Sequence, residues 1–241
     1  MTKSIRREGV PLVKNPVDSN AVEAALQVRE RFPGKVTVLT MGPPQSRETL
    51  EEALAMGADE AILLCDRAFA GADAYATALT IAAAIKRFCP FSLVLCGSET
   101  VDSGTRMVGP MLAEFLDVPY ATNVRAMKFT GDATCLVEAN LDNGCMKVEM
   151  RLPALITVNK AANEPRIPDV MGIIQVTSKT LSTYGAKDLG LPAEKLGLAG
   201  SPTRVASVWE FKKDRRSEVL QGSPKHVSSD AVARIREWGG L

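Results

Sequence analysis

The sequence predicts an α/β fold in which an open, mostly parallel sheet is covered by helices on both faces. Short β-branched runs alternate with amphipathic helical patterns, and strands joined by helical crossovers run parallel. Aromatic residues make up only 5% of the 241 residues, and the apolar content is mostly Ala, Val, Leu and Ile, a mix that suits helices packed on a buried sheet. The length fits one large domain with an appendage.

The first half of the chain repeats a cycle of helix and strand. Asn20, with Glu23 three residues later, predicts the start of a helix that continues to Pro33. Short β-branched or apolar runs predict strands, and segments with helical spacing predict helices between them. The predicted strands are 35–40, 61–65 and 91–96, and the predicted helices are 46–56, 72–88 and 105–116.

After Pro119 the apolar period changes from 3.6 to 2. Residues 133–141 and 145–152 flank the turn sequence Asp142-Asn143-Gly144, which predicts an antiparallel hairpin. Residues 153–159 predict one more buried strand.

The pattern predicts two parts of the chain, an α/β nucleotide-binding domain at 1–180 and a C-terminal arm at 181–241. Beyond residue 181 the apolar residues thin out, and Gly, Pro and short apolar steps follow without a sustained period. Such an arm buries little surface by itself, so we expect it to lie on a partner.

Composition excludes several classes of protein. Lys and Arg total 29 and Asp and Glu total 28, so no net field attracts nucleic acid or anionic lipid. No stretch approaches the ~18 consecutive apolar residues that span a bilayer, and the polar start resembles no signal peptide, so we expect a cytoplasmic protein. The five cysteines form no CxxC pair, which argues against a disulfide framework or a metal site.

The sequence lacks the side chains of the common catalytic motifs. His226 is the one histidine and lies in the predicted arm, so His-based triads and His-rich metal sites are excluded. P-loop, nucleophile-elbow and zincin motifs are absent from the sequence as well. We therefore predict no catalytic residues, although a nucleotide can still bind.

Residues 97–105 form the most informative loop, because it follows a predicted parallel strand and leads into a predicted helix. Ligands bind at the carboxyl ends of such strands. Glycines, hydroxyl groups and a helix N-terminus together would make an anion cradle that fits a phosphate. The alternative is a structural helix cap by Asp102 or Ser103 with a glycine turn, and spacing alone does not decide between the two.

Several blocks of the sequence resemble the β subunit of electron-transfer flavoproteins. They occur in the family's order from about residue 5 to the end of the chain. The blocks are Asn15-Pro16-x-Asp18, MGPPQ at 41–45, ALAMGADEAILL at 53–64, GxxxxDxGTxxVGPxLAE at 97–114, Asn163-Glu164-Pro165-Arg166, and the later DLGL and GLAGSPTRV segments.

The resemblance implies an adenine-nucleotide α-hydrolase-like domain, paired in a heterodimer with an α subunit that carries FAD. The β subunit would hold AMP in simple carriers or a second FAD in bifurcating members, with the phosphate on Ser103 to Thr105 at the helix start. The cofactor-binding residues so implied are Asn15, Pro16, Val17, Asp18, Met41, Gly97, Ser98, Asp102, Ser103, Gly104, Thr105, Val108, Gly109 and Pro110.

Two departures from the family pattern affect these expectations. Family members open with a hydrophobic strand, whereas Met1 falls in the loop beyond it, so we expect either a gene start set at an internal Met or a version without that strand. In simple carriers the docking loop presents a leucine to acyl-CoA dehydrogenases, and here the position is Ala162. The expected partner-docking residues are Ala162, Asn163, Glu164 and Pro165.

The resulting hypothesis is an electron-carrier subunit that passes electrons between dehydrogenases and an acceptor. The loop before Asn163 and the GLAGSPTRV segment resemble members from anaerobes, some of which bifurcate electrons. The alternatives are a nucleotide-binding module of the same fold that has lost electron transfer, and an independent enzyme of nucleotide chemistry.

Overall fold

The computed structural model describes residues 13–131, 133–207, 209 and 218–238. The chain divides into two compact units, one up to Val205 and one from Ala206 onward. The helices are α1 (Pro16–Arg31), α2 (Arg47–Met56), α3 (Ala74–Phe88), α4 (Val108–Leu116), α5 (Val170–Gln175), α6 (Ala186–Leu189) and α7 (Pro224–Glu237). The strands are β1 (Thr37–Met41), β2 (Glu60–Leu64), β3 (Leu93–Gly97), β4 (Tyr120–Gly131), β5 (Thr134–Leu141), β6 (Gly144–Arg151), β7 (Ala154–Val158) and β8 (Thr180–Tyr184).

The strands form two sheets, which confirm the predicted α/β class. One sheet has the order β1-β2-β8 and is parallel throughout. The other has the order β3-β7-β4-β5-β6, in which β3, β7 and β4 are parallel and β5 and β6 pair antiparallel. The hairpin closes where the turn sequence predicts, with Leu141 opposite Gly144.

Helices cover both faces because the inner strands are apolar on both sides. Every residue of β7 is buried, as expected for a parallel strand between two helical layers. Ala21 and Ala24 of α1 pack with β7 and β4 on one face, and residues of α3 and α4 pack with Leu155 on the other. In the part of the chain that the structure describes, no helix is long and apolar enough to cross a membrane.

Two helices begin three or more residues away from the predicted positions. The first, α1, starts at Pro16 rather than Asn20, because proline is well suited to the first helical turn, and Asn20 is buried at 3% exposure. The other, α4, starts at Val108 rather than Thr105. Gly104 and Arg106 both have φ of 58°, a left-handed conformation that interrupts a helix before Val108.

The first compact unit extends past residue 180, the predicted end of the nucleotide-binding domain. Strand β8 pairs with β2, and Leu189 and Leu196 are buried with Phe69 in the core. Single apolar residues make these contacts. Because they do not recur at helical or strand spacing, the hydrophobic pattern of the sequence does not predict them. That residues 181–241 wrap an α subunit stays a prediction.

Candidate functional site

The predicted binding residues lie around the carboxyl ends of two parallel strands. Met41 is the last residue of β1 and Gly97 is the last residue of β3. Open α/β sheets bind ligands outside these strand ends. The structure therefore places both predicted loops where a ligand of this fold class binds.

The N-terminus of α1 is attached to the loop after β3. The Gly97 N–H donates to Asp18 Oδ1 at 2.9 Å, and Asn15 Nδ2 donates to the Glu99 carbonyl at 2.8 Å. Asn15 Nδ2 also donates to Asp18 Oδ2 at 3.1 Å. Two sequence blocks some 80 residues apart thus form one continuous site, with Val17 against Gly97 as well.

The approach of α1 to β3 leaves no room for a side chain at Gly97. A Cβ there would lie 2.5 Å from Asp18 Oδ1 and 3.1 Å from the Val17 carbonyl carbon. The Asp18 carboxylate would have to move away and lose its contact with Gly97, and the backbone of Val17 and Asp18 would be crowded as well. Glycine at this position is therefore a condition for the site's geometry.

Two ionisable groups at this strand end have raised pKa values. Crowding by protein atoms raises the pKa of Asp18 above its ordinary value, and hydrogen bonds from Asn15 and Gly97 oppose that effect. Asp18 is nevertheless exposed to solvent by surface area, so the carboxylate is crowded on one side and accessible on the other. Burial, with a smaller contribution from the Asp18 charge, raises the pKa of the Cys96 thiol to about 12, so Cys96 stays protonated at neutral pH.

The loop between β3 and α4 is closed by its own contacts. Ser98 N–H donates to the Val158 carbonyl at 3.0 Å and so continues the ladder with β7. The Thr100 and Ser103 hydroxyl oxygens lie 2.7 Å apart, and Gly104 N–H donates to the Thr100 carbonyl at 2.9 Å. Asp102 lies with Ser103 on the exposed part of this loop.

An ion pair spans the loop from Glu99 to Arg106, whose atoms Oε2 and Nε lie 2.8 Å apart. The hydrogen bond and charge of Arg106 lower the pKa of Glu99, and those of Glu99 raise the pKa of Arg106. Both side chains are accessible to solvent, so the pair orients the loop more than it stabilises the fold.

Residues Ser103 to Thr105, where the phosphate is predicted, precede α4 by several residues. The N–H groups of the first helical turn belong to Val108 and Gly109, since Pro110 has none. The groups predicted to form one anion cradle are therefore separate. One is the exposed turn at Ser103 to Thr105, and the other, after Arg106 and Met107, is the N-terminus of α4.

The start of α4 packs tightly on the neighbouring strand β7. A Cβ at Gly109 would lie 2.4 Å from Thr157 Cγ2 and 3.4 Å from Cys96 Sγ. Thr157 is buried, and its hydroxyl accepts from the Asn123 N–H at 2.9 Å. Gly109 thus fixes the distance between the helix N-terminus and the sheet.

The site retains a polar atom that suits a nucleotide. Asn15 Oδ1 is buried and has no hydrogen-bond partner among the described residues. Val101 and Met107, at 80% and 48% exposure, add apolar surface beside the loop. Within the described ranges, no group of three or more His, Cys, Asp and Glu side chains is placed to hold a metal ion. A buried acceptor without a protein partner, beside exposed apolar side chains, is compatible with a ligand that carries both polar and apolar groups.

The predicted docking residues lie in a loop attached to α1. Asn20 Nδ2 donates to the Asn163 carbonyl at 2.7 Å, and Asn163 Nδ2 donates back to the Asn20 carbonyl at 3.0 Å. Ala162 ends a short 3₁₀ turn and packs against the core, whereas Glu164 is exposed. The loop is held by the helix rather than free in solution.

The residue after Pro165 forms an ion pair with a buried carboxylate on α1. Glu23, 5% exposed at its side chain, accepts from Arg166 Nε at 2.7 Å and from Arg166 Nη2 at 3.0 Å. These bonds lower the pKa of Glu23 to about 2. Arg166 also pairs with Glu30 at 2.6 Å, and both carboxylates raise the pKa of Arg166.

A groove of about 440 Å³ lies between the start of α1 and this loop. Pro16 lines it, together with Asn163 and Pro165, so predicted binding and docking residues share one surface. Ser19 lines the groove too, and its hydroxyl has no partner among the described residues.

Sequence reasoning missed the inward-facing side chains of α1 and their partner on the loop. From the sequence alone, Asn20 and Glu23 predict a helix start. Their spacing of three residues places both on one helix face, and in the structure this face lies next to Arg166 of the NEPR block. Two polar residues on an otherwise apolar face of the helix were the signal in the sequence for such a contact.

Helix α5, after the docking loop, is apolar on its exposed side. Gly172 faces inward, where a Cβ would lie 2.2 Å from the Ala55 carbonyl oxygen. Five large apolar residues nearby are more than half exposed, a concentration typical of interaction surfaces. They are Ile167, Val170, Met171, Ile173 and Ile174, called the α5 face below.

Fold and site together define an α/β protein whose mostly parallel strands, flanked by helices, end at a candidate ligand site. A family model described as "Electron transfer flavoprotein domain" matches residues 2–189. The chain therefore belongs to the electron transfer flavoprotein family, which confirms the resemblance of its sequence blocks.

Relatives of known name match nearly the whole chain. An electron transfer flavoprotein subunit beta of Thermoanaerobacterium thermosaccharolyticum is 44% identical over 236 residues, which cover 98% of this chain and 90% of the relative. The caffeyl-CoA reductase-Etf complex subunit CarD of Acetobacterium woodii is 40% identical over 238 residues, with coverage of 98% and 90%. Protein FixA of Azotobacter vinelandii is 36% identical, with coverage of 98% and 87%. The family match and these relatives together show that this chain is an electron transfer flavoprotein subunit of the β type.

Proposed function

We propose that this chain pairs with a flavin-carrying α subunit and passes electrons between dehydrogenases and an acceptor. AMP or a second FAD would be held at the carboxyl ends of β1 and β3. The observation that carries the proposal is the attachment of α1 to the loop after β3, through Asp18 to Gly97 and Asn15 to Glu99. It unites the two residue blocks that the family resemblance assigns to the nucleotide.

The residues of this chain would bind and orient the nucleotide. Asn15 Oδ1 offers an unpartnered acceptor to a nucleotide hydroxyl or amino group. The first N–H groups of α4 favour a phosphate through the helix dipole. Bound flavin supplies the redox chemistry, so the chain would be a carrier subunit without acid–base catalysis of its own.

The identity of the nucleotide bound to this subunit would distinguish two kinds of electron carrier. AMP would indicate a simple electron carrier, and FAD would indicate flavin-based electron bifurcation. The relative named as a subunit of a caffeyl-CoA reductase-Etf complex supports testing for the second outcome.

A dehydrogenase or reductase partner would dock on the surface formed by residues 162–165 and the α5 face. The loop is held to α1 by the Asn20 and Asn163 hydrogen bonds, so it is presented at little further entropic cost. The exposed apolar side chains of the α5 face provide area that a protein partner would bury.

Co-expression with a candidate α subunit tests the proposal. We expect a 1:1 complex with a flavin absorption spectrum, and a mass spectrum of the heat-released ligands that contains FAD with or without AMP. A chain that purifies without the α subunit and without any flavin or nucleotide would refute the proposal and favour a binding module that has lost electron transfer.

A further inference from the structure

The turn between β5 and β6 carries the one Asn-Gly pair of the sequence, Asn143 followed by Gly144. The other asparagines are followed by Pro, Ala, Val, Leu, Lys or Glu. Glycine has no Cβ, so its backbone nitrogen can approach the side-chain amide carbon of a preceding asparagine without steric hindrance. Such a pair is chemically reactive wherever the fold leaves it accessible and mobile.

The tip of this hairpin is open to solvent. The ladder closes with Leu141 opposite Gly144, so Asp142 and Asn143 are the two loop residues, and residues 141–144 are all exposed. A Cβ built on Gly144 would meet no other segment within 4 Å. No neighbouring element therefore covers the turn, and water and hydroxide reach its backbone.

The Asn143 side chain is not held in place. Among the residues that the structure describes, its amide group has no hydrogen-bond partner. Asn140, three residues earlier, differs in this respect. It lies within β5 opposite Cys145, and its carbonyl accepts from Asn123 Nδ2 at 3.1 Å. The ladder thus fixes the backbone at Asn140 and leaves the side chain of Asn143 free to turn toward its own backbone.

The geometry of the turn requires the glycine. Gly144 has φ of 154°, a backbone conformation that residues with a side chain rarely adopt. Any other residue there would be strained, so the residue after Asn143 cannot be changed at no cost. The reactive pair is therefore built into the shape of this hairpin.

We propose that Asn143 is a site of spontaneous deamidation in the folded protein. Hydroxide removes the Gly144 N–H proton, and the backbone nitrogen attacks Asn143 Cγ. A new C–N bond closes a five-membered succinimide ring, and the side-chain nitrogen takes a proton from water and leaves as ammonia. Water then opens the ring at either carbonyl carbon and leaves aspartate or isoaspartate at position 143. The net reaction consumes one water and exchanges NH for O in the chain.

The isoaspartate product would loosen the start of β6. It inserts one methylene group into the backbone between positions 143 and 144, and a two-residue loop closed by Leu141 and Gly144 cannot absorb that atom without opening the pair. Val148 and Met150 pack with the core cluster further along β6. We therefore expect the turn end of the strand to open while its far end stays paired.

Both products also add a carboxylate that affects the loop after β3. The charge of Asp142 already contributes to the raised pKa of Arg106, which pairs with Glu99. A second negative charge one residue further along would attract the same guanidinium and oppose a phosphate on this loop. This consequence rests on the proposed function, whereas the modification itself does not.

Peptide mapping after incubation of the full chain at mildly alkaline pH tests the site. Trypsin cleaves after Lys128 and Lys147, so a single peptide contains both Asn140 and Asn143. We expect the mass gain of an NH-to-O exchange at Asn143, at least about tenfold faster than at Asn140, as two products of equal mass. The gain should become faster as pH rises, because the attacking nitrogen must lose its proton.

Asn143→Gln is the matched control. It keeps the amide but would need a six-membered ring, so position 143 should gain no mass. Equal rates at Asn140 and Asn143, or the same gain in Asn143→Gln, would overturn the proposal. A synthetic peptide of residues 129–147 measures the unprotected rate. We expect the folded chain to react within about tenfold of it, and a slower reaction would show that the hairpin protects the pair.

Hydrogen exchange and AMP titration test the two consequences separately. Amides of Gly144–Met146 should exchange faster in the incubated chain than in Asn143→Asp, which adds the charge without the methylene, and equal exchange would contradict the opening of the turn. AMP should bind Asn143→Asp about twofold more weakly than the unmodified chain, and equal affinity would contradict the effect of the charge on the loop. A chain that gains mass at Asn143 and binds no AMP supports the modification and contradicts the nucleotide site.

Discussion

The carboxylate of Asp18 accepts a hydrogen bond from the Gly97 backbone N–H at 2.9 Å, which joins the start of α1 to the end of β3. The contact is possible because Gly97 has no Cβ, which would lie 2.5 Å from the same oxygen. The distance between the two elements is therefore fixed by one glycine and one aspartate, and the proposed nucleotide site depends on both.

Replacing Asp18 by Ala should weaken AMP binding about tenfold, because the loop loses a hydrogen bond of about 1.4 kcal/mol that orients it. Isothermal titration of the complex with AMP measures the change. Asp18→Asn keeps an acceptor and should restore most of the affinity.

Asp18→Asn should also be at least as stable as the unmodified chain at pH 7. The raised pKa of Asp18 means that the folded state disfavours the charged carboxylate, so stability falls as pH rises through that pKa. Glu194→Ala, which removes an exposed carboxylate from the turn at 193–195, is the matched control and should leave AMP affinity unchanged. Equal losses in Asp18→Ala and the control would contradict the assignment of Asp18 to the site.

The pair of Glu23 and Arg166 predicts a stability change in acid. Because the folded pKa of Glu23 is about 2 against an ordinary value of 4.5, its contribution is complete above pH 4.5 and is lost as pH falls toward 2. Glu23→Gln should cost about 2 kcal/mol at neutral pH, since Arg166 keeps its contact with Glu30, and should cost only about 0.4 kcal/mol at pH 2, where half of the Glu23 carboxyl groups are still ionised.

Urea denaturation from pH 7 to pH 2 measures this difference. Glu51→Gln removes an exposed pair with Arg47 on α2 and serves as control, with an expected loss of about 0.5 kcal/mol at most at neutral pH. A Glu23→Gln deficit that persists unchanged at pH 2 would show that packing, and not charge, is responsible.

Gly109→Ala should destabilise the chain by about 1–3 kcal/mol, because the new methyl group would overlap Thr157 Cγ2. Thr157→Ser removes that methyl group and keeps the hydroxyl that accepts from Asn123. The double variant should therefore recover part of the loss, and chemical denaturation of all four proteins measures the coupling. Strict additivity of the two substitutions would contradict the close approach of α4 and β7.

Substitutions on the α5 face should weaken partner binding without affecting the fold. Ile173→Ser and Ile174→Ser remove apolar side chains that are 58% and 60% exposed, so Tm should stay unchanged. Affinity for a dehydrogenase or reductase partner, measured by surface plasmon resonance, should fall about tenfold if these side chains are interface anchors. Leu141→Ser, 55% exposed in the hairpin, is the matched control, and equal effects from it would refute the predicted surface.

Local sequence patterns predicted most of the helices and strands. The β-branched runs, the Asp142-Asn143-Gly144 turn and the glycine-rich loop after β3 all lie where their periods and turn residues indicate. The start of α4 could not be predicted in this way, because the left-handed conformation of Arg106 depends on a loop closed by contacts such as Glu99 to Arg106.

The sequence by itself determined the α/β class, the hairpin, the absence of catalytic histidine motifs and the family, because each depends on residue type and short-range order. Only the tertiary structure decided that Glu23 pairs with Arg166, 143 residues away, and that Asp18 accepts from Gly97, 79 residues away. Contacts between distant segments depend on which surfaces pack together in the folded chain, and a local hydrophobic period does not specify them.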